Sequence, residues 1–155
     1  MEKVRIGIIG CGGIANGKHL PALKKVKEAE LVAFCDIIEE KAVKAAKAYG
    51  TPDAKVYTDY KELLKDESID AVHILTPNRS HSFISIDAMR AGKHVMCEKP
   101  MAKTYAEAKE MVEVAKETGK EYIFISRSDS TLRGHYPLET ELLKKNYEAN
   151  TGKTI

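Results

Sequence analysis

The sequence predicts a doubly wound α/β domain, in which helices cover both faces of a parallel sheet. Short apolar runs alternate with stretches that have helical spacing, and most of the runs are apolar almost throughout. Apolar residues without alternation indicate strands that are covered on both faces. Strands that alternate with helices favour parallel pairing, because each crossover between parallel strands needs a helix's length of chain. We expect one compact domain over 1–125 and a loop-helix tail over 126–155.

The predicted strands are apolar runs of strand length that are rich in valine, isoleucine or aromatic residues. They cover 4–9, 31–35, 71–75, 94–97 and 122–125. Between them, apolar residues recur at helical spacing before a glycine, which predicts helices. These residues are Ile38, Ala42, Ala45 and Tyr49 before Gly50, and Tyr105, Ala108, Met111 and Ala115 before Gly119.

Short polar signals predict where helices start and stop. Thr104 and Glu107 have the spacing of a capping box at a helix N-terminus. Asp59 and Glu62 have the same spacing at the start of a shorter helix. Gly92 predicts the end of another helix, since glycine is the usual residue just beyond a helix C-terminus.

Composition and charge exclude several classes of function. The 155 residues carry 25 basic and 23 acidic side chains, with a formal net charge of +2. These charges are spread along the chain without a basic stripe, so nucleic acid is not an expected partner. No run approaches the length of a membrane span, and the N-terminus lacks the pattern of a secretion signal. The three cysteines form no metal-binding or disulfide pattern, so we expect a cytoplasmic protein without a metal site.

A glycine-rich element follows the first predicted strand and opens onto a helix. It reads Gly10, Cys11, Gly12, Gly13, Ile14 and Ala15, a G-x-G-x-x-A pattern. Gly10 allows a tight turn, Gly12 lets the backbone approach a diphosphate, and Ala15 lets the helix pack on the sheet. Free amide groups at the start of a helix attract anions. The element predicts a Rossmann-type dinucleotide site, with Gly10, Gly12, Gly13, Ile14 and Ala15 beside the cofactor.

An acidic residue, Asp36, ends the second predicted strand about twenty residues beyond the glycine element. A carboxylate there can accept both hydroxyl hydrogens of an adenosine ribose and would repel a 2′-phosphate. Ile37 and Ile38 follow, with no arginine to bind such a phosphate, so NAD is favoured over NADP. A structural alternative is that the glycines only form a tight turn and that Asp36 caps the next helix.

Two further polar elements stand at the carboxyl ends of predicted strands, where open α/β sheets bind ligands. One reads Thr76, Pro77, Asn78, Arg79, Ser80 and His81, and the other reads Glu98, Lys99 and Pro100. With the glycine element, they make residues 1–122 resemble the amino-terminal domain of the glucose-fructose oxidoreductase, inositol dehydrogenase and MocA (Gfo/Idh/MocA) family. The resemblance implies an NAD-dependent oxidoreductase that acts on sugar or polyol hydroxyls.

The resemblance also implies roles for individual residues. Four residues would line the nicotinamide half of the cofactor, namely Thr76, Pro77, Asn78 and His81. Glu98 would lie close by. Lys99 would reach the ribose and the substrate and assist catalysis, since an ammonium stabilises developing alkoxide charge or relays a proton.

The residues alone are equally compatible with plainer interpretations of these elements. Residues 76–78 could form an ordinary turn, since Pro and Asn favour turn geometry. His81 and His19 could simply pack their helices. Cys11, which stands between glycines, is expected to take no part in redox chemistry.

The resemblance implies a second domain, which we expect to be missing from this chain. Members of the family continue into a second α/β domain that supplies most of the substrate pocket, the partner acid/base residues and usually the oligomer interface. Without it, we expect NAD binding with little or no turnover, because a cofactor domain alone does not hold the substrate in place. Surface left by the missing domain could also support self-association.

The tail over 122–150 resembles a fragment of the four-carbon acid sugar kinase family through its D-S-T-L-R-G segment. That resemblance implies that Asp129 and Arg133 lie near the hydroxyls and carboxylate of an acid sugar, since arginine pairs bidentately with carboxylates. We favour a polar loop and a short amphipathic helix that packs through Leu138, Leu142 and Leu143. Residues 151–154 lack the leading glycine and the strand of a P-loop, so no ATP site is expected there.

Three functions therefore stay open. The favoured one is the NAD-binding domain of an oxidoreductase. The second is a non-catalytic module that binds a dinucleotide or a partner. The third is an acid-sugar binding fragment that acts through Asp129 and Arg133.

Overall fold

The computed structural model describes residues 3–119 and, beyond them, 144, 145, 148, 149 and 152. The strands in this part of the chain pair in parallel, in the order β3-β2-β1-β4-β5. They are β1 (Val4–Ile9), β2 (Ala29–Cys35), β3 (Lys55–Tyr57), β4 (Ala71–Ile74) and β5 (His94–Cys97). This order confirms the predicted doubly wound fold, because the winding reverses direction between β1 and β4.

Helices cover both faces of the sheet. They are α1 (Leu20–Leu23), α2 (Glu39–Tyr49), α3 (Tyr60–Leu64), α4 (His81–Arg90) and α5 (Tyr105–Glu117). A π-helical turn, Ala15–His19, leads into α1, and a 3₁₀ turn, Asn78–Ser80, leads into α4. At the end of this turn, the Leu20 N–H donates to Ala15 O, five residues back, which is the π-helical pattern. Pro21 lies in the first turn of α1, where its missing N–H is tolerated.

The core has two layers, one on each side of the sheet. One layer packs α3 and α4 against the sheet through residues such as Leu63, Ile74 and Ile84. The other packs the π-helical turn, α1 and α2 through Ala15, Leu20 and Ala45. Because both faces are covered, β1, β2 and β4 are buried along most of their length, as their continuous apolar runs predict.

The predicted helix signals are confirmed with small differences. The Thr104 hydroxyl accepts the Glu107 N–H at 3.2 Å, while the Glu107 carboxylate accepts from Lys103 N–H at 2.8 Å rather than from Thr104. Asp59 caps α3 by accepting the Lys61 N–H at 2.9 Å. Gly92 follows α4 with a φ of 77°, the left-handed conformation that ends many helices.

Some predicted boundaries and burial differ from the structure. Ile38 and Tyr105, at the predicted helix starts, are exposed, because Ile38 precedes the first turn of α2 and Tyr105 lies in the first turn of α5. Strand β2 begins at Ala29, two residues before the predicted start, and β3 was not predicted. Residues 122–125, the tail, and Asp129 and Arg133 lie outside the described residues. Within the part of the chain that is described, no helix has the length and apolar character needed to cross a bilayer.

Candidate cofactor and catalytic site

The carboxyl ends of four strands lie in one row at the same edge of the sheet. Ile9 pairs with Cys35 on one side and with Ile74 on the other, and Ile74 pairs with Cys97. Each strand is followed directly by one of the predicted polar elements. The register therefore brings the glycine element, Asp36 and the elements at 76–81 and 98–100 to one edge, as the sequence predicts.

Gly10 makes a turn that no other residue fits. Its φ is 96°, and a Cβ there would lie 2.8 Å from the backbone carbon of Leu75 and the backbone nitrogen of Thr76. The chain that leaves β1 therefore passes against the chain that leaves β4. This close approach gives Gly10 a definite role in forming the edge of the sheet.

The space beside Gly12 and Gly13 is open. A Cβ at either residue would meet nothing within 4 Å, so the backbone here borders an open space that a side chain would occupy. The Asn16 side-chain amide donates to Cys11 O at 2.7 Å and to Gly12 O at 2.9 Å, and it thereby holds the loop in shape. Asn16 was not among the predicted site residues, although an asparagine one position beyond a glycine loop is a recognisable signal.

The Asp36 carboxylate lies directly against the glycine element. One oxygen accepts the Cys11 N–H at 2.9 Å, and the other accepts the Ile38 N–H at 2.9 Å. The second bond belongs to the structural alternative, although the helix cap itself is Ile38 and α2 begins one residue later. Each carboxylate oxygen has a further lone pair, so Asp36 can still accept hydrogen bonds from a ligand.

Exposed apolar side chains follow Asp36 in the chain and stand in the glycine element. Ile37 is 88% exposed, and Ile14 and Ile38 are also exposed. Exposed isoleucines offer an apolar surface that suits the flat face of an aromatic ring. In contrast, the thiols of Cys11 and Cys35 are buried. Burial first, and the nearby Asp36 second, raise the pKa of each thiol to about 12, so both stay protonated at neutral pH.

The segment from Glu98 to Pro100 is held at several points. The Glu98 N–H donates to Ile74 O at 3.0 Å, which extends the pairing of β5 with β4. The Glu98 carboxylate accepts the Lys99 N–H at 2.6 Å and the His19 Nε2–H at 2.8 Å. The Lys99–Pro100 peptide bond is cis, and the Lys99 side chain is exposed at the edge.

His81 joins the segment at 76–78 to the segment at 98–100. Its ring is 1% exposed, with Nδ1 at 2.7 Å from Pro100 O and Nε2 at 2.7 Å from Thr76 O. Burial disfavours a charged ring, but contacts with Cys97 and with these two carbonyls outweigh it and raise the pKa of His81 to about 9. In this arrangement both ring nitrogens are engaged by the protein. His81 therefore holds the two segments together instead of offering a nitrogen to a ligand.

The segment at 76–78 forms the turn that the residues alone allowed, and it stays open to solvent. Pro77 and Asn78 are exposed, and the Ser80 hydroxyl donates to Thr76 Oγ1 at 2.8 Å. No group of acidic, histidine or cysteine side chains in the described residues could hold a metal ion. The edge thus presents backbone amides, a carboxylate and a lysine.

Comparison with known proteins identifies the family. Residues 4–126 match the model of the Gfo/Idh/MocA family, which is described as an oxidoreductase family with an NAD-binding Rossmann fold. The chain belongs to this family. Its resemblance to that family, predicted from three motifs, is confirmed over nearly the same residues.

Two curated relatives of the chain are named as dehydrogenases. The chain is 34% identical over 122 residues to an inositol 2-dehydrogenase of Salmonella paratyphi B, covering 79% of this chain and 36% of the relative. It is 38% identical over 117 residues to a D-glucoside 3-dehydrogenase of Escherichia coli, covering 76% of this chain and 33% of the relative. The chain therefore spans about a third of the length of these relatives.

Solved structures from the family superpose on the described fold. A 3-ketoreductase from Actinomadura kijaniata in complex with NADP gives a TM-score of 0.69 at 32% identity, over 76% of this chain and 37% of that one. A scyllo-inositol dehydrogenase from Lactobacillus casei with NAD(H) and scyllo-inositol gives 0.69 at 27% identity, over 76% of this chain and 34% of that one. Members of the family thus hold either dinucleotide.

Proposed function

We propose that this chain is the cofactor-binding part of an oxidoreductase that acts on hydroxyl groups of sugars or polyols and prefers NAD to NADP. The contact between the Cys11 N–H and the Asp36 carboxylate, at 2.9 Å, is the observation that carries this proposal. It means that the diphosphate cradle and the ribose acceptor adjoin each other. A dinucleotide needs both within the length of one adenosine diphosphate.

The residues present suit the adenosine diphosphate half of the cofactor. The open space beside Gly12 and Gly13 leaves backbone amides available to a diphosphate. Asp36 has lone pairs left for the ribose hydroxyls, and the exposed Ile37 offers an apolar surface to adenine. Ile14 and Ala15 lie at the start of the π-helical turn that follows the glycines of the diphosphate cradle.

The preference for NAD follows from charge. A 2′-phosphate would approach the Asp36 carboxylate, and Ile37 and Ile38 offer no positive charge to compensate for the repulsion. Neighbours of known structure hold NAD(H) or NADP, and we attribute the choice between the two cofactors in this chain to the residues after β2.

Lys99 is the candidate catalytic group. When bound, the nicotinamide supplies the site that gives or takes a hydride. The Lys99 ammonium stabilises negative charge on the substrate oxygen, while Thr76, Pro77, Asn78 and Glu98 border the same end of the site. Sugar or polyol substrates are proposed because curated relatives are named as dehydrogenases of inositol and glucosides.

A fluorescence titration with NADH and NADPH tests the cofactor part of the proposal. We expect NADH to bind at least about tenfold more tightly than NADPH, the loss that results from one uncompensated charge contact. Asp36→Asn is expected to weaken NADH binding about tenfold. It should also reduce the difference in affinity between NADH and NADPH, because the repelling charge is gone.

Asp53→Asn is the matched control, because Asp53 is an exposed carboxylate before β3, at the opposite edge of the sheet. It should leave both affinities unchanged. Absence of NADH binding at millimolar concentration, or tighter binding of NADPH, would contradict the proposal. Any reduction of NAD by inositols or glucosides is expected to fall at least about a hundredfold in Lys99→Met.

A further inference from the structure

The backbone of Lys99 is bonded to the Glu98 carboxylate, which is in turn bonded to His19 in the turn after the glycine element. Its N–H donates to one oxygen of Glu98 at 2.6 Å, and the other oxygen accepts from His19 Nε2 at 2.8 Å. No hydrogen bond or ion pair holds the Lys99 ammonium within the described part of the chain. The Glu98 carboxylate therefore holds the backbone from which this side chain extends.

The Glu98 carboxylate and the two histidines beside it are mostly shielded from water. The Glu98 side chain is 11% exposed, and His73, behind His19, is 3% exposed. Burial of ionisable groups costs free energy unless each finds a partner. Simple packing at this position would be achieved at lower cost by apolar residues, as elsewhere on the same face of the sheet.

His73 packs edge-on against the His19 ring. The two rings are perpendicular, with centroids 4.6 Å apart. Burial first, and then His19, lower the pKa of His73 to about 4, so His73 is neutral at pH 7 and forms no ion pair with the Glu98 carboxylate. With His73 against it, the His19 ring presents Nε2 to Glu98.

His19 also connects two parts of the site. It is the last residue of the π-helical turn that follows the glycine element, whereas Glu98 and Lys99 follow β5. The bond between His19 and Glu98 thus joins the diphosphate cradle to the lysine across the edge of the sheet.

We propose that His19 is a positioning residue for Lys99, acting through the bond from its Nε2 to the Glu98 carboxylate. The proposal rests on the proposed function of Lys99 at the nicotinamide end of the site. It assigns to His19 a role beyond packing its helix.

The test compares NADH with ADP, which carries the adenosine ribose and the diphosphate but neither the nicotinamide nor its ribose. In the full chain, His19→Leu is expected to raise the dissociation constant for NADH about tenfold, the usual effect of losing a hydrogen bond to a charged group. The constant for ADP is expected to stay within about twofold, since the cradle is intact. His19→Gln, whose amide can donate from nearly the same place as Nε2, is expected to restore NADH affinity.

The Lys99 backbone amide provides a second readout that needs no cofactor. Because this N–H is bonded to Glu98, its hydrogen exchange rate measured by NMR should rise at least about tenfold in His19→Leu and return in His19→Gln. His94→Leu is the control, since His94 is an exposed histidine at the opposite end of β5. It should change neither readout.

Each outcome separates the two proposals. Equal weakening of NADH and ADP would mean that His19 only supports its helix, and an unchanged Lys99 amide would mean that the bond does not control Lys99. Either result overturns the positioning role. If the original chain fails to bind NADH, the proposed function is wrong, while the amide measurement still decides whether His19 fixes Lys99. A variant that fails to fold is replaced in the comparison by His19→Asn, which also lacks a donor at the Nε2 position.

Discussion

At the scale of single residues, His81 carries a charge inside the protein. Each ring nitrogen lies 2.7 Å from a carbonyl oxygen, and carbonyl oxygens only accept. A neutral imidazole has one N–H, so both bonds form only when the ring is protonated. His81 is therefore a cationic link between the segments at 76–78 and 98–100.

This link predicts a pH dependence of stability. The folded pKa of His81, about 9, lies above the ordinary value of 6.5. Its contribution is therefore complete below about pH 6.5 and is lost as the pH rises through 9. We expect the free energy of unfolding, measured with urea, to fall by on the order of 3 kcal/mol across this interval.

The same titration on His81→Gln supplies the comparison. This variant should be less stable at pH 6 and should lack the slope between pH 6.5 and 9. An identical slope in both proteins would assign the pH dependence to other groups.

Residue roles differ in how far the sequence predicts them. Asp36 could be placed beside the glycine element because it ends the strand that follows, and neighbouring parallel strands end at one edge. The bonds of His81 could not be foreseen, because Thr76 and Pro100 come together only through the pairing of β4 with β5. The bond between His19 and Glu98 could not be foreseen for the same reason, since Glu98 lies 79 positions away in the chain.

At the scale of elements, β3 is the strand that the sequence did not reveal. It has three residues, Lys55–Tyr57, with a charged residue at its start and no apolar run. Such short, polar edge strands fall below the length at which hydrophobic patterns are informative. Besides its pairing with β2, β3 is held by a carboxylate outside it, Asp66, which accepts from Lys55 Nζ at 2.7 Å and from the Tyr57 hydroxyl at 3.0 Å.

Asp66 is therefore expected to stabilise β3, the outermost strand beside β2. The Lys55 ammonium foremost, with hydrogen bonds from Ser68 and Tyr57, holds the pKa of Asp66 well below its usual value, although burial opposes this. Asp66→Asn is expected to lower the free energy of unfolding by about 1 to 3 kcal/mol at neutral pH. Hydrogen exchange should show faster exchange of the β3 amides before the rest of the sheet.

Low pH should lower the free energy of unfolding in the same way as Asp66→Asn, because it protonates the Asp66 carboxylate. Because the folded pKa is lowered, the contribution of Asp66 is complete above the unfolded value of about 4 and is lost as the pH falls below it. Glu40→Gln is the control, since Glu40 pairs with Lys44 on an exposed helix surface and should alter stability by less than about 0.5 kcal/mol. Equal effects of the two substitutions would remove the special role of Asp66.

At the scale of the whole molecule, the fold class follows from the alternation of strands and helices, and the sequence predicted it because buried parallel strands are strongly apolar. The strand order was not predicted, since it depends on which strands pair and includes β3. The sequence also did not predict the exposed alternate residues of β5, because His94 and Met96 lie on a strand that is covered less fully than β1 or β4.

Cofactor binding should stabilise the domain as a unit. A ligand that binds only the folded state, at a hundred times its dissociation constant, adds about 2.7 kcal/mol to the free energy of unfolding. For NADH we expect a rise in melting temperature of roughly 5 °C, measured by circular dichroism, and a smaller rise with NADPH at the same concentration. Equal shifts with both cofactors, or none with NADH, would contradict the assigned preference.

The turn at Gly10 constrains how this part of the chain can diverge. Alanine, the smallest alternative, would already collide with the main chain of Leu75 and Thr76, which cannot move without breaking the bond from the Leu75 N–H to Ile9 O. Every amino-acid substitution at this position is therefore destabilising, whichever ligand the protein binds. Specificity can evolve only around Gly10, in residues such as Ile37 that vary without disturbing the crossing of the two chains.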